Sequence, residues 1–298
     1  SLITAPILLD ELFELFGKKR KDFLDFVLLD PFYRVYFEET KSKFVEVDYN
    51  GDPSHMKSEL EKLEKGAGEK YELYYKKVKP IYDTAYVKFG AKPFGKLIDL
   101  IKVIPEMLRL DAIRSVSSIV SDFFKSEFAH RLYSFHPLYL GANPKRAPGA
   151  LSFIPDLERD QGVWFAKGGM YSVITALSKL FTDNGGVIIT NSEVVAIETV
   201  EKKVKSVKTK DSSYDCDILV SNADALKTFE MTSSSKSNAA IRRLKNAEYS
   251  MSLFMIYIGT KKQYREKLRH HTLILGKDYN KLLDEIFDKK IMPTSLSM

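Results

Sequence analysis

A single cysteine, Cys216, leaves this chain of 298 residues without an intramolecular disulfide or a cysteine-based zinc site, and fits a reducing compartment. Asp215 and Asp217 flank it, and two adjacent carboxylates disfavour a thiolate, so Cys216 reads as structural. No run approaches the roughly 20 apolar residues of a membrane span, and no charged-then-apolar leader opens the chain. HExxH, GxSxG and GK[ST] are absent, which removes the first requirement of zincin, nucleophile-elbow and P-loop chemistry. KGAGEK around Gly66 lacks a third glycine and a preceding strand, and its flanks Lys62, Glu64, Lys65, Glu69 and Lys70 predict a solvated turn between helices. His270 and His271 are adjacent and on a strand would point to opposite faces. His130 and His136 have no carboxylate or cysteine at ligand spacing, so no metal is expected. The formal charge of +6 is too small a surplus to argue for nucleic acid, although a local basic face could meet anionic lipid.

What is present is a chain that is 44% hydrophobic, enough for one large core or two modest ones. Leu8, Leu12, Phe13, Leu15 and Phe16 predict a first helix that Gly17 closes. LLDPFYRVYFEETKSKFVEVD alternates like a hairpin turning at residues 39–42. From Pro53 to Phe135 the pattern is helical, broken by Gly90, Pro93 and Gly95. PDLERDQGVWFAKGG is loop-like, and MYSVITALSKLFTDNGG is a helix stopped by Gly185 and Gly186. Residues 185–224 then read as three or four strands. A polar loop, MTSSSKSN, precedes a helix, the strand SLFMIYIGT and a last helix, KDYNKLLDEIFDKK. The chain starts at Ser1 directly in helical periodicity and stops soon after a helix, so a fragment truncated at both ends is expected.

One stretch, DTAYVKFGAKPFGKLIDLIKVIPEMLRLDAIR, combines apolar bulk (Phe89, Phe94, Leu97, Ile98, Ile101, Ile104, Leu108) with Lys88, Lys92, Lys96, Lys102, Arg109 and Arg114. Such a helix either lies in a lipid interface, aromatics inserted and lysines at headgroup level, or packs as an ordinary surface helix, with Pro105 kinking it in both cases.

Several strings coincide, in order, with one family. LLDPFYRVYF, AYVKFGAKPF, YSFHPLYLGANP, ERDQGVWFAKGGMYSVITALSKLFTDNGG, VVAIETVEKKVKSV, ILVSNAD and HHTLILGKDYNKLLDEIF resemble the bacterial-type phytoene desaturases, the flavin-dependent carotenoid desaturases related to the amine oxidases. The resemblance runs the whole chain and implies a mixed α/β fold: a partial Rossmann-like FAD-binding domain and a helix-rich, sheet-containing substrate domain. Residues 1–30 would follow the nucleotide-binding finger, 31–150 and 233–298 would form the substrate domain, and 151–232 the returning part of the FAD domain. The glycine finger would lie before SLITAP and a second flavin motif beyond the last residue, so the chain alone would hold flavin weakly.

The resemblance also carries site residues. Asn191, Ser192, Glu193 and Val194 match the strand whose backbone approaches the adenine, with Val194 the contact or else a plain core residue. Asn222, Ala223 and Asp224 fall near the cofactor, and Gly168 and Gly169 mark a close-approach point. Hydride passes from a hydrocarbon to flavin in this family, so positioning in an apolar tunnel replaces a triad or metal. Asp99 matches a carboxylate considered as acid/base partner, the alternative being a solvated side chain. Tyr133, Phe135, Tyr139 and Trp164 would line the tunnel and stabilise cationic character. A lipid-dissolved substrate favours the membrane reading for Phe89, Lys92, Phe94 and Lys96, making a monotopic, cytoplasmic, membrane-associated protein of open oligomeric state. Carotenoid isomerisation, action on another polyene, and a non-catalytic lipid-associated protein are the alternatives.

Overall fold

The computed structural model describes residues 2–201, 203–232 and 239–294. Most of the polar loop expected at MTSSSKSN therefore lies outside the described residues. In chain order the elements are α1 (Pro6–Glu14), β1 (Phe26–Leu28), β2 (Tyr33–Thr40), β3 (Lys43–Tyr49), α2 (Pro53–Leu63), α3 (Ala67–Tyr82), α4 (Leu97–Arg109), α5 (Val116–Ser121), α6 (Glu127–Ser134), α7 (Ile154–Gln161), β4 (Trp164–Ala166), α8 (Met170–Asp183), β5 (Val194–Val200), β6 (Lys203–Thr209), β7 (Ser213–Asp215), α9 (Ala225–Met231), α10 (Ala239–Lys245), β8 (Thr272–Leu275) and α11 (Tyr279–Phe287). The chain divides into two compact units, Ser1–Ala176 with Ser250–Met298, and Leu177–Tyr249.

In the first unit the expected hairpin is β2 and β3, antiparallel, with Tyr33 opposite Tyr49 and Thr40 opposite Lys43. The period-2 pattern drives Tyr33, Val35 and Phe37 into the core with Val47 and Tyr49. On the other edge β2 pairs in parallel with β8, a short TLIL strand that the sequence pattern alone does not announce. Arg34 locks this sheet. It makes a fork on Asp48 at 2.7 Å through both Nε and Nη2, and donates from Nη1 to the Glu266 carbonyl at 2.8 Å. Burial raises the Asp48 carboxyl, but the Arg34 bonds outweigh it and hold the group below its ordinary range.

The helices cover the sheet with rings. Tyr71, Tyr74, Tyr75 and Val78 of α3 share one core with Met56 and Leu60 of α2, Leu132 and Tyr133 of α6, and Leu282 and Leu283 of α11. Each fully buried side chain of this size contributes roughly 1.5–3 kcal/mol. Of KGAGEK, Lys65 and Gly66 form the expected turn between helices, while Ala67 and Gly68 are buried in the first turn of α3. Gly66 precedes α3, and the amides of Gly66 and Gly68 donate to the Glu61 carboxylate at 2.9–3.2 Å.

In the second unit β5, β6 and β7 form an antiparallel meander. The flanking segments 186–190 and 217–220, expected as strands, are unpaired, and Val187, Ile218 and Val220 are exposed. In the first unit SLFMIYIGT is likewise no strand, with Leu253 to Ile258 exposed. Their composition favours extended backbone, but a strand forms only against a partner, and none of the described residues supplies one. The loop expected at PDLERDQ is instead the helix α7, which buries Pro155, Asp156, Leu157 and Glu158.

Two consequences can be measured. Gly162 ends α7 at φ 76°, ψ 173°, a region essentially closed to other residues, and an added Cβ would lie 2.8 Å from Leu28 Cδ1. Gly162→Ala should cost about 1–3 kcal/mol in urea unfolding, whereas Gly95→Ala, with open space around it, should be near neutral; equal effects would contradict this account. His270 and His271 bend together before β8, ring centroids 4.7 Å apart and Nδ1 atoms 2.7 Å apart, instead of pointing to opposite faces. Burial and then the neighbouring ring depress His271 from the ordinary 6.5 to about 4, and His270 also falls, chiefly by burial. The unfolded chain then takes up protons first, so this stability is present above about pH 6.5 and lost as pH falls towards about 4. His271→Asn should flatten the urea midpoint across that window; an unchanged slope would refute the assignment.

Candidate functional site

The first unit gathers a carboxylate, an imidazole and several phenols where β2, α7 and the 3-10 turn His136–Leu140 meet. Glu158, 1% exposed, accepts a short hydrogen bond from the Tyr33 hydroxyl, and its other oxygen lies 3.2 Å from His136 Nε2. Spacing along the chain gave His136 no acidic neighbour, because 22 residues separate it from Glu158. Folding α7 against the 3-10 turn supplies one. Phe135 stacks on His136 at 4.2 Å, Tyr33 on Tyr49 at 5.5 Å, and Tyr139 sets its edge to Phe135 at 5.5 Å. Desolvation first, and the Glu158 charge second, push the phenols of Tyr33, Tyr49 and Tyr139 upward. Of these phenols, Tyr33 is the one hydrogen-bonded to Glu158.

The four expected tunnel residues separate into different roles. Tyr139 is exposed, while Phe135 and Tyr133 are buried. Tyr133 belongs to the core, 4.9 Å from the Tyr74 ring and 5.1 Å from Phe124. Trp164 sits in β4 opposite Leu28, exchanges backbone hydrogen bonds with Ile3 at 2.8 and 2.9 Å, and donates from Nε1 to the Gln161 carbonyl at 2.6 Å. Gly168 and Gly169 follow β4 at φ 86° and 92°. Nothing crowds the place of a Cβ on Gly169, so backbone conformation, rather than close approach within this chain, calls for glycine there.

Asp99 is half-buried at the start of α4, where its Oδ2 accepts the Lys96 amide at 3.2 Å in a capping box. Along α4, Ile98, Ile101, Ile104 and Leu108 are exposed on one face, whereas Met107 and Leu110 pack against Ile81, Ala112 and Ile119. Phe94 is exposed too, with its ring 6.3 Å from Phe89. Lys88 and Lys92 lie over Phe89 at 5.1 and 5.3 Å. Lys88 pairs with Glu106 at 2.8 Å, while Lys92 and Lys96 have no carboxylate within ion-pair distance among the described residues. No described helix is long and apolar enough to cross a membrane.

In the second unit, Asn191, Ser192 and Glu193 line an open cavity of about 320 Å³ with Thr209, Lys210 and Asp211. Val194 opens β5 opposite Thr209 and is partly exposed, so it is no core residue. Asn222 and Ala223 are exposed just before α9, whose first turn Asp224 caps by accepting the Lys227 amide at 3.2 Å.

Comparison with known proteins finds relatives along the whole chain. The chain is 31% identical over 292 residues to a lycopene-forming phytoene desaturase of Pantoea ananas, aligning 97% of this chain with 58% of that one. A lycopene-forming phytoene desaturase of Pseudescherichia vulneris is 31% identical over 304 residues, aligning 100% of this chain with 60% of that one. A neurosporene-forming phytoene desaturase of Rhodobacter capsulatus is 30% identical over 308 residues, with 100% and 57% covered. The chain thus spans between 57 and 60% of the length of these relatives. An oxidoreductase from Methanosarcina mazei of known structure superposes with a TM-score of 0.49 at 18% identity, over 73% of this chain and 45% of that one. A family model for flavin containing amine oxidoreductases matches residues 5–290, and the chain belongs to that family.

Proposed function

We propose that this protein is an FAD-dependent carotenoid desaturase acting on phytoene or a related polyene. The observation that carries the reading is the 31% identity, held over 97 to 100% of the chain, to relatives named lycopene-forming phytoene desaturases. The site chemistry supports it. A hydrocarbon gives a protein nothing to hydrogen-bond, so it must be held by apolar and aromatic surface that excludes water. Tyr139, backed by Phe135 and Tyr33, supplies such a surface in the first unit.

The residues of the second unit fit the adenosine end of the cofactor. The Val194 backbone and the cavity beside Asn191–Glu193 would hold it, with Asn222 and Ala223 as further contacts. In the first unit, the Gly168–Gly169 turn is the other cofactor contact that the resemblance implies, and its backbone is open at Gly169. When bound, the flavin supplies the hydride acceptor. The protein orients the chain so that one carbon loses hydride and its neighbour a proton, and we assign Asp99 to receive the proton. The half-buried carboxylate caps a helix whose opposite, apolar face is open, an arrangement that suits a substrate arriving from lipid.

The same helix motivates a membrane assignment: Phe89 and Phe94 insert, Lys92 and Lys96 meet anionic headgroups, and the protein works as a monotopic enzyme on the cytoplasmic face.

Expressed in a host that accumulates phytoene, the gene product should convert it to more unsaturated polyenes on chromatography; geometric isomers alone, or unchanged phytoene, would refute the reading. Asp99→Asn should lower the desaturation rate roughly 100-fold at unchanged thermal stability, and full activity would remove Asp99 from the mechanism. In flotation with vesicles containing anionic phospholipid, wild type should rise with the lipid and Lys92→Glu/Lys96→Glu should stay below. Equal behaviour would dismiss the α4 surface as the contact.

A further inference from the structure

The adjacent histidines His270 and His271 have no part in the proposed reaction. The sequence reason for setting them aside, that neighbouring side chains on a strand point to opposite faces, does not hold for them, because both lie in a bend ahead of β8. Thr272 closes that bend, its Oγ1 accepting the Arg269 amide at 3.0 Å, and the His271 carbonyl accepts the Arg34 amide from β2 at 2.9 Å. Backbone turned in this way brings the two rings together, with planes 30° apart and Nδ1 atoms separated by 2.7 Å. Phe165, which packs against the main core, backs the His270 ring at 4.1 Å. The pair is therefore held in place, and much of the freedom that a chelating pair loses on binding is already lost in the fold.

The 2.7 Å separation is close to that of two neighbouring ligands on one metal ion. With metal–nitrogen bonds of about 2.0–2.1 Å, nitrogens at a right angle stand about 2.8–3.0 Å apart, and nitrogens at a tetrahedral corner about 3.3–3.4 Å. The shorter bite suits a square-planar or tetragonal ion, the preference of Cu(II) and Ni(II), better than tetrahedral Zn(II). Among the described residues no third histidine, cysteine or carboxylate completes a cluster around the pair, so water would take the other positions. Arg269, a cation beside the pair, is engaged with Asp48 at 3.4 Å. His270 is exposed, which leaves the pair open to a hydrated ion.

We infer that His270 and His271 form a two-histidine chelate, through both Nδ1 atoms, for a divalent transition metal that favours right-angled nitrogen ligands, Cu(II) or Ni(II). In the metal-free pair one Nδ1 donates its proton to the other. On binding, that proton passes through solvent to Nε2 of the same ring. Both rings stay neutral, two waters leave the ion, and no electron moves. The site is independent of the carotenoid reading and stands or falls without it.

Ni(II) is titrated by calorimetry into protein free of any affinity tag, at about pH 8, above the ordinary histidine range, and the Cu(II) form is read by electron paramagnetic resonance. Wild type should bind Ni(II) more tightly than Zn(II), and its Cu(II) spectrum should carry hyperfine splitting from two nitrogens. His270→Asn and His271→Asn should each weaken Ni(II) roughly 100-fold, as expected when a chelate loses one of its two linked contacts, and should each leave one coordinated nitrogen. His55→Gln, at a histidine bonded instead to the Asp48 carbonyl, should change nothing. If thermal unfolding shows His271→Asn to be misfolded, the exposed His270→Asn and the nitrogen count in wild type decide. A single coordinated nitrogen in wild type, an affinity that His270→Asn leaves unchanged, or a preference for Zn(II) over Ni(II) overturns the inference.

Discussion

The first unit depends on one buried polar cluster, the Glu158 carboxyl group bonded to Tyr33 and His136. Glu158 enters the interior on α7, a helix with little apolar pattern, and is held there by Tyr33 from the central strand and His136 from the turn after α6. Those two bonds join three parts of the chain distant in sequence, and burial, more than any neighbouring group, holds the phenols of Tyr33, Tyr49 and Tyr74 above their ordinary range. Around the cluster the core is rich in tyrosine. Tyr33, Tyr49, Tyr74, Tyr75 and Tyr133 interlock at ring distances of 4.9 to 6.3 Å, adding roughly 0.5–1.5 kcal/mol per pair beyond the area they bury. Arg34 plays the complementary part on the sheet, where a fully bonded fork to Asp48 joins the hairpin to the segment leading into β8.

Under the proposed reading, a substrate without polar groups would meet two surfaces of the first unit: the exposed Tyr139 ring, and the open apolar face of α4, preceded by Lys92 and Lys96, which have no ion-pair partner among the described residues. The second unit contributes a different chemistry, a polar hollow next to an exposed strand end, which we propose takes the adenosine end of the cofactor. Membership of a flavin containing amine oxidoreductase family makes both kinds of surface intelligible in one protein.

The sequence displayed much of the fold wherever local chemistry and tertiary context agree. The β2–β3 hairpin follows from strict alternation, the end of α1 from Gly17, α8 and α11 from helical period, and the Gly66 turn from its charged flanks. It misled where structure depends on a partner. Residues 186–190, 217–220 and 252–260 have strand composition, yet a strand is a property of two backbones. It concealed α7, because Asp156 and Glu158 are buried polar residues, and hydrophobic period is blind to carboxylates that go inside. The same blindness hid the candidate site. Phe135 and Tyr139 were visible as aromatics, but Glu158 and its bond to His136 exist only after folding, while Tyr133, equally aromatic in the sequence, belongs to the core.

The most direct measurement is where a hydrocarbon lies on this protein. A photoactivatable polyene analogue, crosslinked in lipid and mapped by mass spectrometry of the digested protein, should label the peptide containing Tyr139 and Leu140. Labelling confined to other peptides, with that one untouched at saturation, would contradict the account.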